Sequence, residues 1–259
     1  GALLVAGMLA LLGHADQRAF VGIYAPTVAL FFAAVTGALL IWDLKQPLRF
    51  FYIFTRPQWG SWLVKGSFIL LAFGAVGTVW WIGGVLGNES VISAMAIPAM
   101  VLGAATAGYT AWLFAQCEGR DLWQTPLLLP VLVSQAVAAG AAALIIPISI
   151  FDLPDSAVNA LLWTLFGGII AELVFIVIEV TSHGSVSVEM ATAAMVSGKY
   201  RGRFWFGLVG GMVVSGGLAL VAALTSETAI AVAASVLAIA GIAAYKDAFV
   251  RAGQSVPLS

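Results

Sequence analysis

Two glutamates, Glu172 and Glu179, lie seven residues apart in a segment that is otherwise apolar. On a helix this spacing places both carboxyl groups on one face, and His183 extends the row by four more residues. Glu172 falls in the middle of the segment, where a carboxylate in lipid must be paired or protonated. The row favours either a proton conduit or a structural hydrogen bond between helices, and both interpretations stay open.

Asp43 and Arg49 form a second constellation, at the exit of an apolar segment and on either side of Pro47, which turns the chain. An acid and a base at the level of the lipid headgroups can pair, relay a proton or hydrogen-bond the polar head of a ligand. The alternative is an interfacial aromatic belt with a charge that sets topology. Lys65 either extends its ammonium to the interface or neutralises an acid.

The elements that position these side chains must be membrane helices. The chain has 259 residues, of which 62% are hydrophobic and 9% charged, with a mean hydropathy of +1.05. This composition excludes an ordinary soluble enzyme, a disordered chain and a nucleic-acid binder, and it requires a lipid bilayer as solvent. The continuous apolar runs predict seven full spans. We place these spans at 20–42, 62–86, 92–116, 126–149, 157–181, 204–225 and 228–246.

The first residues, 1–13, are apolar throughout but reach only about 20 Å as a helix. We interpret them as the second half of a membrane helix, with a half-inserted or interfacial segment as the alternative. The expected fold is therefore an all-α membrane protein with eight transmembrane helices, the first truncated in this chain, arranged as two four-helix bundles. We expect residues 1–118 to form the first bundle and residues 119–259 the second.

Basic residues are distributed unequally between the two predicted membrane sides. Arg18 alone falls on one side, and the other ten fall on what we call the basic side. These are Lys45, Arg49, Arg56, Lys65, Arg120, Lys199, Arg201, Arg203, Lys246 and Arg251. The positive-inside rule then predicts an inner-membrane protein whose basic side and C-terminus are cytoplasmic.

Histidine and cysteine limit the redox groups that this chain can hold. His14 and His183 stand at helix ends on opposite predicted sides, so a haem with two histidine ligands inside the helices is not expected. The single cysteine, Cys117, excludes a disulfide framework and an iron–sulfur cluster held by this chain alone.

Several motifs, in order along nearly the whole chain, resemble the NrfD/polysulfide reductase family of integral membrane subunits. The most specific is the helix that ends Asp-Leu-x-x-Pro-x-Arg-Phe at residues 43–50. The supporting motifs are Arg56-Pro57-Gln58-Trp59-Gly60-Ser61-Trp62 with Gly66, Gly108-Tyr109-Thr110, Leu122-Trp123 with Pro130, Ser134 and Gly140, and the stretch from Gly198 to Trp205.

The resemblance implies a quinone-interacting anchor in a multi-subunit respiratory oxidoreductase. Tyr109 matches the family's quinone-contacting tyrosine, and Asp43 and Arg49 match the loop beside that site, so the resemblance implies that these three residues bind the quinone. The alternative for Tyr109 is a tyrosine of the interfacial aromatic belt. Ubiquinone or menaquinone would be the ligand of this chain. The family's other contacts lie early in the first helix, in the part that this chain lacks.

The partners implied by the resemblance are an iron–sulfur subunit of the four-cluster type and a molybdopterin-type catalytic subunit, which would hold the iron–sulfur clusters and the molybdopterin. Without a haem, the partner's cluster must dock on the basic side, where we expect Arg56, Trp59, Arg201 and Arg203 to contact it. The chain itself would hold no catalytic metal, and whether it counts as an enzyme is left open.

Two other functions remain open. A secondary transporter or proton-conducting module would use Glu172 and Glu179, with His183 and Lys65 as further members of a proton path. A purely structural anchor would carry a vestigial quinone site.

Overall fold

The computed structural model describes residues 1–42, 46, 50–182 and 184–256. Within these residues the chain is helical, with short connections and no β-strand. The α-helices are α1 (Ala2–Leu9), α2 (Ala25–Trp42), α3 (Tyr52–Thr55), α4 (Trp62–Leu86), α5 (Glu89–Ala115), α6 (Leu128–Ile145), α7 (Asp155–Thr181), α8 (Val186–Val196), α9 (Arg201–Trp205), α10 (Ser215–Thr225) and α11 (Thr228–Ser255). Wider π-helical turns precede α2, at Arg18–Tyr24, and join α9 to α10, at Phe206–Val214.

Seven helical segments in the described part of the chain are long and apolar enough to cross a bilayer, which confirms the predicted number of full spans. They are Arg18–Trp42, Trp62–Leu86, Glu89–Ala115, Leu128–Ile150, Asp155–Thr181, Arg201–Thr225 and Thr228–Ser255. The last span continues nine residues beyond the predicted end at 246, because Asp247 and Arg251 pair with each other one turn apart and keep the helix polar but regular.

The N-terminal segment forms a shorter apolar helix, Ala2–His14. Leu3, Val5 and Leu9 are fully buried, which argues for a packed helix and against an interfacial segment. Gly7 lies against Met100 and the Ala96 carbonyl of α5. The eight-helix count and the arrangement as two four-helix bundles stay predictions.

The chain folds as two compact units, Gly1–Thr110 and Ala111–Ser259. In the first unit, α4 approaches the π-helical turn before α2 so closely that a Cβ on Gly84 would overlap the Gly22 backbone. The buried Trp80 indole donates a hydrogen bond to the Val21 carbonyl at 2.9 Å. Arg18 Nε donates to the Gly84 carbonyl, also at 2.9 Å, and so satisfies the C-terminal end of α4.

In the second unit, α11 packs against α6, α10 and the π-helical turn at Phe206–Val214. Gly211 and Gly241 meet backbone to backbone, since a Cβ on either would overlap the backbone of the other. Gly207 lies against the Gly241 carbonyl one turn away. The Gly207-x-x-x-Gly211 pattern is therefore a packing face, as interhelical glycines usually are in membranes.

The connection predicted at 182–203 contains a helix that the sequence reading did not predict, α8 at Val186–Val196. Its eleven residues are too few for a span, so the hydropathy pattern gave no reason to separate it from a loop. Ser185 and Ser187 at its start both donate hydrogen bonds to the Asp121 carboxylate, the first at 2.5 Å. These hydrogen bonds fix α8 against the connection that precedes α6.

Candidate functional site

Tyr109 lies two turns before the end of α5, and its side chain is buried, with 4% exposure. The ring lies directly against Gly66 in the first turns of α4, where a Cβ would overlap three of the ring carbons. Among the described residues, the Tyr109 hydroxyl has no hydrogen-bond partner. Gly66 thus provides the space in which the ring sits, and the phenol retains its capacity to donate a hydrogen bond to a ligand.

Thr106 lies one turn before Tyr109 and therefore on the same side of α5. Its buried Oγ1 finds no hydrogen-bond partner within the described parts of the chain. Threonines in helices commonly donate to the carbonyl four residues earlier, as Thr27 does to the Ile23 carbonyl at 2.6 Å. The sequence did not predict Thr106 as a site residue. A threonine in an apolar helix looks like one that bonds its own backbone until the structure shows its surroundings.

An apolar groove of about 720 Å³ runs between α2, α3 and α4. Small residues open it on both long helices, including Ala33 and Gly37 on α2 and Gly74 on α4. Leu63 and Ser67, on either side of Gly66 in the chain, both line the groove, whereas Tyr109 and Thr106 of α5 are not among its lining residues. Its volume is in the range of about 300–1,000 Å³ that is common for small-molecule sites.

Asp43, Arg49 and His183 lie outside the described residues. The predicted contribution of Asp43 and Arg49 to a ligand site therefore stays a prediction. The same holds for His183 as the end of the glutamate row.

In the second unit, Glu172 of α7 is fully buried. Its Oε1 accepts a hydrogen bond from Gln135 Nε2 of α6 at 2.8 Å. Glu172 Oε2 and Gln135 Oε1 have no hydrogen-bond partner within the described chain. The predicted interhelical hydrogen bond is thus present, but it leaves one oxygen of each side chain unused.

Glu179 lies on the same face of α7, about 10 Å further along the helix axis at 1.5 Å per residue. The Tyr245 hydroxyl of α11, on a side chain that is almost completely buried, donates to Glu179 Oε2 at 3.3 Å. Tyr245 also interacts electrostatically with Glu172, as does the neighbouring Lys246. The structure therefore groups the two glutamates with Gln135 and Tyr245 as one polar core, and the Lys246 side chain is exposed.

Gln135 and Tyr245 are members of this polar core that sequence reasoning missed. Gln135 stands among small apolar residues and Tyr245 next to a lysine, so neither differs from a helix-packing or interfacial residue until α6, α7 and α11 come together. Lys65 belongs to the first unit instead, where its ammonium lies 4.4 Å from the centre of the Trp62 ring.

The four residues predicted to contact a partner differ in exposure and in pairing. Arg56 is exposed after α3, and Trp59 is 58% exposed and stacks on Phe68 with 5.1 Å between ring centres. Arg201 is exposed at the start of α9. Arg203, by contrast, forms an ion pair with Asp247 at 2.7 Å.

Within the residues that the structure describes, no group of three or more His, Cys, Asp or Glu side chains is placed to hold a metal ion. The assignment of the metal centres to partner subunits stays a prediction.

Comparison with known proteins relates nearly the whole chain to one family. The family described as "Polysulphide reductase, NrfD" matches residues 1–257. A curated relative from Halobacterium salinarum, a putative membrane subunit of dimethyl sulfoxide reductase, is 24% identical over 135 residues. That match covers 43% of this chain and 31% of the relative, so the chain spans about a third of the length of that relative.

The contact between Gly66 and Tyr109 predicts that Gly66→Ala destabilises the first unit. The added methyl overlaps the Tyr109 ring, and overpacking of this kind costs about 1–3 kcal/mol. We expect a thermal unfolding temperature several degrees lower in detergent, measured by intrinsic fluorescence or circular dichroism.

Gly74→Ala on the same helix is the matched control, because a Cβ there meets no atom within 4 Å. The double variant Gly66→Ala/Tyr109→Leu should recover part of the loss, since the smaller side chain vacates the space. Equal unfolding temperatures for Gly66→Ala and Gly74→Ala would contradict the placement of the ring.

Proposed function

Because the chain belongs to the NrfD family of polysulfide reductase membrane subunits, we propose that it is the quinone-interacting membrane anchor of a multi-subunit respiratory oxidoreductase. It would pass electrons between the quinone pool and an iron–sulfur partner subunit, which in turn serves a molybdopterin-type catalytic subunit. The name of the halobacterial relative, a membrane subunit of a reductase, supports the coarser part of this proposal.

The observation that carries the proposal is the arrangement around Tyr109. A buried phenol and the buried, unpartnered hydroxyl of Thr106 share one side of α5. The phenol lies against α4, and another part of α4 lines an apolar groove that opens between membrane helices. Hydrogen-bonding groups combined with an apolar groove suit an amphipathic ligand, whose polar ring would reach the hydroxyls while its hydrocarbon chain lies in the groove. A quinone with an isoprenoid tail has this chemistry.

A bound ubiquinone or menaquinone would supply two-electron, two-proton redox chemistry. Tyr109 would donate a hydrogen bond to one carbonyl oxygen of the quinone ring, and Thr106 would provide a second donor on the same side of α5. Gly66 would keep the phenol seated in its place. Asp43 and Arg49 are proposed to complete the quinone-binding site with Tyr109, in line with the family motif at residues 43–50.

The partner subunit would dock on the basic side through Arg56, Trp59, Arg201 and Arg203. Exposed arginine and aromatic residues are the side chains most enriched at protein interfaces. Arg203 would contribute less than Arg201, because Asp247 already neutralises part of its charge.

Sidedness gives a first test of this proposal. The seven apolar helices are consistent with a multi-pass integral membrane protein, and we propose that it lies in the inner membrane with the basic side and the C-terminus in the cytoplasm. A C-terminal fluorescent reporter that folds only in the cytoplasm should then be active, whereas a C-terminal alkaline phosphatase should be inactive. Activity of the phosphatase fusion alone would overturn the orientation.

Quinone binding is tested by Tyr109→Phe in the purified complex. The substitution removes the hydroxyl and preserves the ring against Gly66, so the fold should be retained. A hydrogen bond contributes about 1 kcal/mol net, and we therefore expect KM for the quinone to rise about fivefold in steady-state quinone-linked turnover.

Tyr52→Phe is the matched control, because Tyr52 is an exposed tyrosine of α3 that does not line the groove. If Tyr109→Phe leaves both KM and kcat unchanged, the quinone site is vestigial and the chain is a structural anchor. A complex that contains neither iron nor molybdenum on purification would contradict the proposed partners.

The polar core of the second unit supports a second candidate function, a proton-conducting module or secondary transporter. Burying a carboxyl group in the membrane costs several kcal/mol by insertion scales, and such residues commonly mark proton or ion pathways. Glu172 has one oxygen without a hydrogen-bond partner in the described chain, and Tyr245 interacts with both glutamates. A proton could pass between Glu172 and Glu179 through the Tyr245 hydroxyl if their side chains reorient, with His183 as the proposed end of the path.

Proteoliposomes that contain the isolated chain test this candidate, with a pH-sensitive dye inside and an imposed potential. A conductor should acidify the lumen, and Glu172→Gln should reduce the rate at least tenfold, because the amide cannot carry a titratable proton. Glutamine can still accept from Gln135, so the unfolding temperature should change little.

Glu227→Gln, which alters an exposed glutamate of the same unit, is the control. A proton flux equal to that of empty liposomes in the unsubstituted chain would leave the Gln135–Glu172 hydrogen bond as a structural contact between helices.

A further inference from the structure

A basic pocket of about 390 Å³ lies in the second unit where the connection before α9 meets the last turns of α11. Its lining consists of Lys199, Tyr200, Gly202, Arg203 and Arg251. These residues come from the connection before α9, from α9 itself and from α11, so the pocket exists only when α9 and α11 pack together.

One carboxylate organises the positive charge at this pocket. Asp247 binds Arg203 Nη1 through Oδ2 and Arg251 Nε through Oδ1, both at 2.7 Å. Each guanidinium has five N–H donors and uses only part of them in these ion pairs. The two arginines are therefore held in place beside each other, with further donors available.

Lys199 adds a third cation, with its ammonium 5.7 Å from the centre of the Tyr200 ring. Three cations around the single carboxylate of Asp247 leave a net charge of +2 (3 − 1) at the pocket. A pocket of this charge and size suits a phosphate group, for which arginine offers paired hydrogen bonds.

The pocket lies at the start of the span Arg201–Thr225 and at the end of the span Thr228–Ser255. Both positions place it where a membrane helix reaches the headgroup level. The exposed apolar side chains of Phe206, Val209 and Val213 follow Gly202 along the same span, in its π-helical turn, and we call them the apolar ridge. These three side chains are about half exposed.

We propose that this pocket binds the phosphate of an anionic phospholipid whose acyl chain lies along the ridge. A free anion would use the cations but not the ridge, and an acidic protein segment would have no need of apolar side chains that face the bilayer interior. Basic pockets between helices at the cytoplasmic surface are a known basis of selectivity for anionic lipids.

The proposal is tested on the full chain, purified in mild detergent with any subunits that remain bound. Equal amounts of phosphatidylglycerol and phosphatidylcholine are added, and retained lipid is measured by native mass spectrometry. We expect phosphatidylglycerol to be retained at least tenfold more than phosphatidylcholine. The double variant Lys199→Gln/Arg251→Gln should lower its apparent affinity about thirtyfold.

Glu118→Gln is the matched control, because it changes one exposed charge of the same unit outside the pocket and should leave lipid retention unchanged. Lys199→Gln alone preserves both ion pairs of Asp247, so it decides the question if the double variant fails to fold. An affinity loss of about fivefold is expected for it.

Four outcomes would overturn the proposal. Retention that does not differ between the two lipids, or between Lys199→Gln and the unsubstituted chain, removes the lipid site. Binding of inorganic phosphate without phosphatidylglycerol would indicate a site for free anions. Loss of a partner subunit from the double variant, with lipid retention unchanged, would assign the pocket to protein docking. None of these measurements depends on quinone turnover.

Discussion

Backbone contact at a few glycines sets the packing of both units. Helices in a bilayer gain little from the hydrophobic effect when they associate, so they depend on close van der Waals contact and on polar contacts between helices. Gly84 meets Gly22 in the first unit, and Gly211 meets Gly241 in the second, at distances that exclude any side chain. Both contacts involve a π-helical turn, whose wider path moves one backbone toward the other. The small residues of α2 and α4 do not meet backbone to backbone. The space that larger side chains would fill is therefore left as a groove between the two helices.

Polar groups are satisfied close to these contacts, as the absence of water in the bilayer core requires. Arg18 and Trp80 donate to carbonyl oxygens beside the Gly22–Gly84 contact. In the second unit, Ser215 donates to the Ala234 carbonyl at 2.8 Å, and Arg120 donates to the carbonyls of Gly253 and Val256 at the end of α11. Several buried polar atoms of the described chain lack a hydrogen-bond partner, among them Thr106 Oγ1 in the first unit and one carboxyl oxygen each of Glu172 and Glu179 in the second. Packing alone does not explain them, because a valine or a glutamine would fill similar space at a lower cost of burial.

The sequence was sufficient for the features that depend on hydropathy and helical spacing. It predicted seven full spans, the shared face of Glu172 and Glu179 and the burial of Glu172, since each follows from a local pattern. It could not predict features that arise only when separate helices meet. Gln135 and Tyr245 became members of the polar core through α6 and α11, and α8 has too few residues for hydropathy to separate it from a loop. The groove beside α4 depends on the distance between α2 and α4, about which neither helix alone carries information.

The two units bury different kinds of groups, and this difference separates the two proposed functions. The first unit contains an apolar groove and, on α5, a buried phenol and an unpartnered hydroxyl, a combination that suits a neutral amphipathic molecule. The second unit instead buries two carboxyl groups and holds them with an amide and a phenol. An uncharged ligand needs no countercharge, whereas a buried carboxyl group needs a hydrogen-bond partner or a proton. The proposed quinone chemistry and the proposed proton movement therefore make separate demands on the chain, and the features that would serve each lie in different units. A structural anchor alone has no need of buried carboxyl groups, because apolar side chains of similar volume cost less to bury, so the polar core argues for a role beyond anchoring.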